Sequence, residues 1–131
     1  MQIKVSTDYA IRIVLYLAIT NRITPSKELS DKLCIPQSIV LKIGKKLSYN
    51  SIVKITTGVV GGFELQKQPE DISMFDIINM FEPTTKLNRC LEEDKYCSRF
   101  ATECCPVRKF YCKAQKQFED SLKSTTIAEL L

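Results

Sequence analysis

Histidine is absent from this 131-residue chain. Its absence removes the commonest general base and the commonest metal ligand. No glycine run leads into Lys-Ser or Lys-Thr: Gly58, Gly61 and Gly62 are followed by Phe63, which excludes a phosphate-binding loop. No nucleophile–base arrangement is evident either, so an enzyme is not expected. Long apolar runs are also missing. The stretch from Tyr9 to Ile19 is interrupted by Arg12 and is shorter than the roughly 20 residues a membrane span needs. No secretory signal opens the chain, so a cytoplasmic location without a membrane partner is expected. Thiols stay reduced there, which counts against a disulfide framework.

Acid is missing locally. From Lys32 to Phe63 there is no Asp or Glu, whereas Lys32, Lys42, Lys45, Lys46 and Lys54 all fall in that span. The formal net charge of the whole chain is +4, so the remainder sums to −1 (4 − 5). A cationic half beside a near-neutral half suits a polyanion, with nucleic acid first among the candidates.

The chain opens on a helix that Ser6 or Thr7 can cap, with Asp8 in its first turn where negative charge is favourable. It is apolar nearly all round and is expected to be buried on several sides. Asn21 and Thr24-Pro25-Ser26 break it. Ser26 then caps a short helix from Lys27 to Cys34, with Leu29 and Leu33 inward and Cys34 as a small buried residue. A third helix follows Pro36. Ile39, Val40, Ile43 and Leu47 share one side, and Gln37, Ser38, Leu41, Lys42 and Lys45 share the other. This is the layout of a helix-turn-helix whose second helix enters the major groove. Its lysines, with Lys46, neutralise phosphates, and Gln37 and Ser38 are placed to read bases.

From Ile52 the pattern becomes strand-like, with apolar residues either side of Thr57-Gly58-Val59-Val60-Gly61-Gly62. That predicts a β-hairpin directly after a basic helix-turn-helix, which makes it a wing. A fourth helix is expected from about Ile72 to Phe81. Pro106 opens a long last helix with an apolar stripe of Val107, Phe110, Tyr111, Ala114, Phe118 and Leu122. Such a helix suits pairing with a twin, because helix-turn-helix proteins commonly read two half-sites as dimers. Thr126 and Glu129 form a capping-box pattern for a short terminal helix.

Five of the six cysteines (Cys90, Cys97, Cys104, Cys105 and Cys112) lie ahead of or on that last helix. The segment between them is rich in charge (Glu92, Glu93, Asp94, Lys95, Arg99) and has little apolar surface to bury. A disulfide, a zinc ion or an iron–sulfur cluster could order it. Zinc sites favour cysteine pairs about two to four residues apart, and this spacing lacks them. An electron carrier would need neither a basic helix-turn-helix nor a wing.

The order of these motifs resembles the winged-helix regulators of the IscR, NsrR and CymR type, the Rrf-two family. The resemblance runs over nearly the whole chain. It rests on Thr7-Asp8-Tyr9-Ala10 with Arg12, Gly58-x-x-Gly61-Gly62, the helix near Ile72 to Glu82, the spaced cysteines, Cys105-Pro106-Val107-Arg108, Ala114-Gln115 and Thr125-Thr126-Ile127-Ala128-Glu129-Leu130. It implies a mostly α fold with a small β-hairpin: a winged helix-turn-helix domain over 1–82, a cysteine-bearing cofactor loop over 83–105, and a dimerisation helix with a C-terminal helix over 106–131. The implied function is that of a homodimeric bacterial transcription regulator on double-stranded operator DNA, with an iron–sulfur cluster as sensor of redox state or nitric oxide.

The implied ligands are Cys90, Cys97 and Cys105, with Cys104 as the alternative to Cys105. Relatives that use a histidine carry it where Arg108 stands here. Nitric-oxide sensors with the Thr-Asp-Tyr start complete the site with an aspartate of the partner subunit, a position that falls on Asp8. The implied DNA contacts are the third-helix residues above with Thr57 and Gly58 of the wing. Thr57 replaces a frequent arginine, which weakens minor-groove reading, and Leu41 replaces the glutamate of some members, which shifts the operator. A cluster-free regulator of the same fold, responding to thiols, metabolites or zinc, is the competing reading.

Overall fold

A computed structural model describes all residues, 1–131. Helix α1 spans Val5–Thr20, α2 Ser26–Leu33 and α3 Gln37–Tyr49. A hairpin of β1 (Val53–Thr56) and β2 (Gly62–Leu65) follows, then α4 (Met74–Phe81) and α5 (Pro106–Ser124). Single 3-10 turns occupy Pro69–Asp71, Arg89–Leu91 and Ile127–Leu130. No helix is long and apolar enough to cross a membrane. The fold class is the expected one, helices with a two-stranded antiparallel hairpin.

Helix α1 buries Thr7, Ala10, Ile13, Val14 and Leu17 along one face, with Tyr9, Ile11, Leu15 and Tyr16 half-covered beside it. It is less enclosed than its composition predicts, because Val5 and Ile19 are exposed. It starts one residue before Ser6, and neither Ser6 nor Thr7 caps it. Instead Glu82, from the far end of α4, accepts the Lys4 backbone N–H at 2.7 Å and the buried Thr7 hydroxyl at 2.9 Å. A remote carboxylate at a helix N-terminus does the work of a local cap.

Helix α2 begins at Ser26 with Pro25 in the cap position. Cys34 is exposed rather than buried: it takes the left-handed C-cap conformation (φ 55°) at the surface, and Ile35 fills the core instead. Helix α3 buries Val40, Ile43, Gly44 and Leu47, so its inward and outward faces fall as the periodicity predicts. The hairpin pairs Ile55 with Phe63 and Thr56 with Gly62. On its other edge Thr24 pairs with Phe63, the two backbones exchanging bonds of 2.8 and 2.9 Å. The Thr24 segment, read from sequence only as a break, thus moors the wing to the α1–α2 connection.

Helix α4 starts at Met74, two residues later than expected, because Ser73 and Asp76 form a reciprocal capping box. The box anticipated at Thr126 does not form. That strand-like segment is instead used by backbone pairing, with Ile127 N–H to Ile72 carbonyl at 2.9 Å and Met74 N–H to Thr125 carbonyl at 2.8 Å. Ile127 is thereby carried fully into the core.

The core cluster draws on α1, α2, α3, the hairpin, α4 and the tail residue Ile127, and takes no residue from α5. Along α5 only Gln115 is buried; Val107, Phe110 and Phe118 of the apolar stripe are exposed, and Tyr111, Ala114 and Leu122 are half-buried.

Candidate nucleic-acid interface and cysteine cavity

The outward face of α3 presents Gln37, Ser38, Leu41, Lys42 and Lys45, all exposed. Gln37 does more than face outward: its Nε2 donates to Ser26 Oγ at 3.0 Å, linking the first residues of the two helices. Lys46 sits at the edge of this face, with its Nζ 4.9 Å from the centre of the Phe81 ring. Thr57 and Gly58 are exposed in the wing turn, where Gly58 adopts φ +109°, a conformation that favours glycine.

Two contacts add to the core packing in positioning the wing and α2. A Cβ on Gly44 would fall 2.3 Å from Phe63 Cε1, so the bare helix backbone is what lets the wing lie against α3. Helix α2 is tied to α1 through Glu28, which accepts from the Tyr16 hydroxyl and from Arg22, both at 2.8 Å. The Arg22 guanidinium and the Tyr16 hydroxyl together hold the Glu28 carboxyl below its usual range.

The cysteine segment forms a second site. Cys90, Cys97 and Cys105 line one cavity of about 350 Å³ at the start of α5, with Tyr96, Val107 and Arg108 among its walls. Cys90 is buried, and its sulfur accepts from Asn88 Nδ2 at 3.2 Å. Cys105 is the N-cap of α5, where its sulfur accepts the Arg108 backbone N–H at 3.5 Å. Backbone N–H groups of Ala101, and then of Arg99 and Phe100, lower the Cys97 thiol below its usual range. Amide donors at a sulfur favour the thiolate, the form that binds metal. No three Cys, Asp or Glu side chains of the chain converge closely enough to hold a single metal ion. Cys104 and Cys112 are exposed and do not line the cavity. Asp8 lies apart in α1, half-exposed and paired with Arg12 at 2.9 Å.

Two residues not assigned to the site from sequence hold this segment. The Arg108 guanidinium donates to the Cys90 carbonyl at 3.2 Å. Gln115 accepts the Leu87 N–H at 2.7 Å and donates to the Thr85 carbonyl at 2.9 Å. Gln115 falls between Tyr111 and Phe118 on the apolar stripe, and a polar residue in that place was the available signal.

A family model described as Rrf2, iron-dependent transcriptional regulator, matches residues 3–131. The chain belongs to the Rrf2 family. An HTH-type transcriptional regulator of Aquifex aeolicus strain VF5, named only by that class, is 33% identical over 124 residues, covering 94% of this chain and 86% of its own length. Among solved structures, CymR of B. subtilis superposes with a TM-score of 0.81 at 21% identity, covering 99% of this chain and 95% of that one. IscR of T. potens superposes with a TM-score of 0.76 at 20% identity, covering 99% and 85%. These two likenesses establish the winged-helix fold. Rrf2 members are DNA-binding transcription regulators and not enzymes, which agrees with an outward face of α3 that carries Lys42 and Lys45.

Proposed function

We propose that this Rrf2 regulator acts as a homodimer whose binding to operator DNA is controlled by an iron–sulfur cluster held by Cys90, Cys97 and Cys105. The observation that carries the reading is that these three thiols line a single cavity at the start of α5. The donor set suits the group, because such clusters are bound through thiolates and tuned by hydrogen bonds to sulfur. When bound, a cluster supplies a centre whose charge and integrity respond to oxidation or to small reactive molecules. The chain's own residues then have distinct tasks. Arg108 fixes the Cys90 backbone against the first turn of α5. Tyr96 and Val107, both largely exposed, border the cavity.

Pairing of α5 with its twin is supported by Val107, Phe110 and Phe118, which are exposed on a helix that gives nothing to the core. In the dimer, Asp8 of the partner subunit is the candidate fourth ligand, and its surface position in α1 leaves it accessible. On DNA, Lys42 and Lys45 neutralise phosphates, while Gln37 and Ser38 reach base edges.

Anaerobically prepared protein is expected to contain iron and inorganic sulfide, lost on Cys90→Ser, Cys97→Ser or Cys105→Ser and kept in Cys104→Ser. Zinc alone, or no metal after anaerobic reconstitution, overturns the reading. Asp8→Ala is expected to remain a folded dimer with an altered cluster lifetime or spectrum; unchanged spectra move the fourth ligand to Cys104 or to solvent. A cluster-free, thiol-responsive regulator is favoured by one observation, the exposure of Cys34, Cys104 and Cys112, and by the fold shared with CymR, described as the global cysteine regulator of B. subtilis. The same metal analysis separates the two.

A further inference from the structure

The Ser26 hydroxyl does not cap α2, although the sequence places it there. Pro25 holds the cap position, and no side chain caps that helix. Ser26 Oγ instead accepts from Gln37 Nε2 at 3.0 Å, across the turn between α2 and α3. Ser26 is half-buried and Gln37 is exposed, on the face that also carries Lys42 and Lys45. The first side chain of the recognition helix is thus gripped by the helix before it.

Both backbones beneath this bond are held. Thr24, two residues before Ser26, exchanges bonds with Phe63 at 2.8 and 2.9 Å. A Cβ on Gly62 would collide with the Thr24 carbonyl and the Pro25 nitrogen, so the wing backbone lies directly against the residues leading into Ser26. Gln37 follows Pro36, whose carbonyl accepts the Ile39 and Val40 N–H groups at 2.9 and 3.1 Å. Serine turns about a single side-chain bond, so a fixed backbone leaves its hydroxyl few places to go. Glutamine is long and flexible, and ordering it on DNA costs affinity unless the protein has ordered it beforehand.

We propose that Ser26 is a positioning residue for base recognition, holding the Gln37 amide in the orientation that reads adenine. A glutamine amide has one oxygen and two hydrogens to offer. Ser26 takes one hydrogen, which leaves Oε1 and the second N–H for a ligand. Adenine presents the complementary pair in the major groove, the N6 donor beside the N7 acceptor. Guanine presents two acceptors there and thymine an acceptor beside a methyl group, so neither matches both atoms. Turned the other way, the amide would take the serine proton on Oε1 and offer two N–H groups, which suits guanine. The inference rests on the reading of Gln37 as a base contact, and the two can fail separately.

The test uses the full-length protein on the duplex it selects from a random pool, with each base pair then varied in turn. Gln37→Ala should flatten the preference at an adenine and leave the other positions as they were. Ser26→Ala should lower the preference for that same adenine by about three- to tenfold. Ser26→Thr, which keeps the hydroxyl, should restore it. In the Gln37→Ala background Ser26→Ala should have no further effect. Neither side chain is charged, so the slope of log affinity against log salt should stay at the parent's value. Alanine is a good helix former, so a thermal midpoint at or above the parent's confirms folding of Ser26→Ala. An unchanged adenine preference in Ser26→Ala overturns the proposal. So does a loss shared by all sequences, or one that persists without Gln37, either of which marks a phosphate contact or a purely structural part. Selection of guanine at the Gln37 position overturns it as well, since that needs the amide turned the other way. If Gln37→Ala relaxes one base and Ser26→Ala relaxes none, base reading by Gln37 stands and the positioning role falls. If Gln37→Ala relaxes no base, both fall.

Discussion

A single methyl group added at Gly44 should destabilise this protein, although alanine is the better helix former. Gly44 lies within α3, and in an ordinary helical site Gly→Ala gains about 1 kcal/mol. Here the new Cβ would sit 2.3, 2.6 and 3.1 Å from three ring carbons of Phe63, against an optimal carbon–carbon separation of about 3.5–4.0 Å. The ring must retreat by more than 1 Å, about the difference between those values. It has little room to do so: Phe63 is only 4% exposed, its N–H and carbonyl are both bonded to Thr24, and it stands opposite Ile55 across the hairpin. Overpacking of this kind costs about 1–3 kcal/mol, and the short contact argues for the upper end. The net loss is then about 1–2 kcal/mol, or a fall in Tm of about 3–8 °C for a domain of this size.

Urea titration of Gly44→Ala, followed by circular dichroism, measures the loss as a lower midpoint at unchanged slope. Combining it with Phe63→Leu, which removes the ring edge, should recover part of the loss as a favourable coupling energy of about 1 kcal/mol. Because Gly44 is buried while Gln37, Lys42 and Lys45 are exposed, any change in operator affinity would report displacement of the wing. A Gly44→Ala protein as stable as the parent would refute the reasoning, since it would mean that the wing yields freely.

Lys42→Glu should weaken binding to every DNA sequence and lower the salt slope by about 1 for each phosphate it no longer neutralises. Gln37→Ala should instead change which sequences bind, by about 1–3 kcal/mol at one base pair, read in competition gel shifts. The low Glu28 carboxyl predicts a pH effect with a definite sign. Its folded-state pKa lies below the ordinary value of 4.5, so its contribution is present above that value and lost as pH falls through the folded one. Urea midpoints taken between about pH 6 and about pH 3 should fall less steeply for Glu28→Gln than for the parent. Gln115→Leu keeps the side-chain volume and leaves the Leu87 N–H and the Thr85 carbonyl unpartnered, at a cost of about 2 kcal/mol. Faster hydrogen exchange of the Leu87 amide is the direct readout.

The helices were legible wherever periodicity and burial agree. Val40, Ile43 and Leu47 mark the inward side of α3 without ambiguity, and the hairpin is announced by apolar residues around Gly58 to Gly62. Legibility fails where a distant residue supplies what a local one could have. Ser6 and Thr7 looked like caps for α1, but Glu82 takes that part from 75 residues beyond Thr7. Thr126 looked like the start of a capped helix, but its neighbours are paired with Ile72 and Met74. Cys34 looked buried because small thiols usually are, and no periodicity distinguishes a C-cap from the last inward turn of so short a helix. At the cysteine site, the family resemblance singled out Cys90, Cys97 and Cys105, and those three line one cavity. Arg108 and Gln115 act through backbone atoms of other residues, and sequence spacing carries no record of such contacts.

Those long-range contacts give the cysteine segment an unusual mechanical position. It is strung between two anchors outside the core: Glu82 at the N-terminus of α1, and α5 through Gln115, Arg108 and the Cys105 cap. Only Cys90 in the segment is buried, and the core cluster takes no residue from it. A change in its conformation would therefore reach α1 through Glu82 and α5 through Gln115, Arg108 and Cys105. Helix α1 in turn holds α2 through Tyr16 and Glu28, and α2 holds the first residue of α3 through Ser26 and Gln37. Beside the core packing that α1, α2 and α3 share, each link in that series adds one or two hydrogen bonds, specific enough to be cut singly. Whether the links act together is a question of coupling energy. A double-mutant cycle of Glu82→Gln with Glu28→Gln, read on DNA affinity, should return a non-additive term if the path carries the signal and simple additivity if it does not.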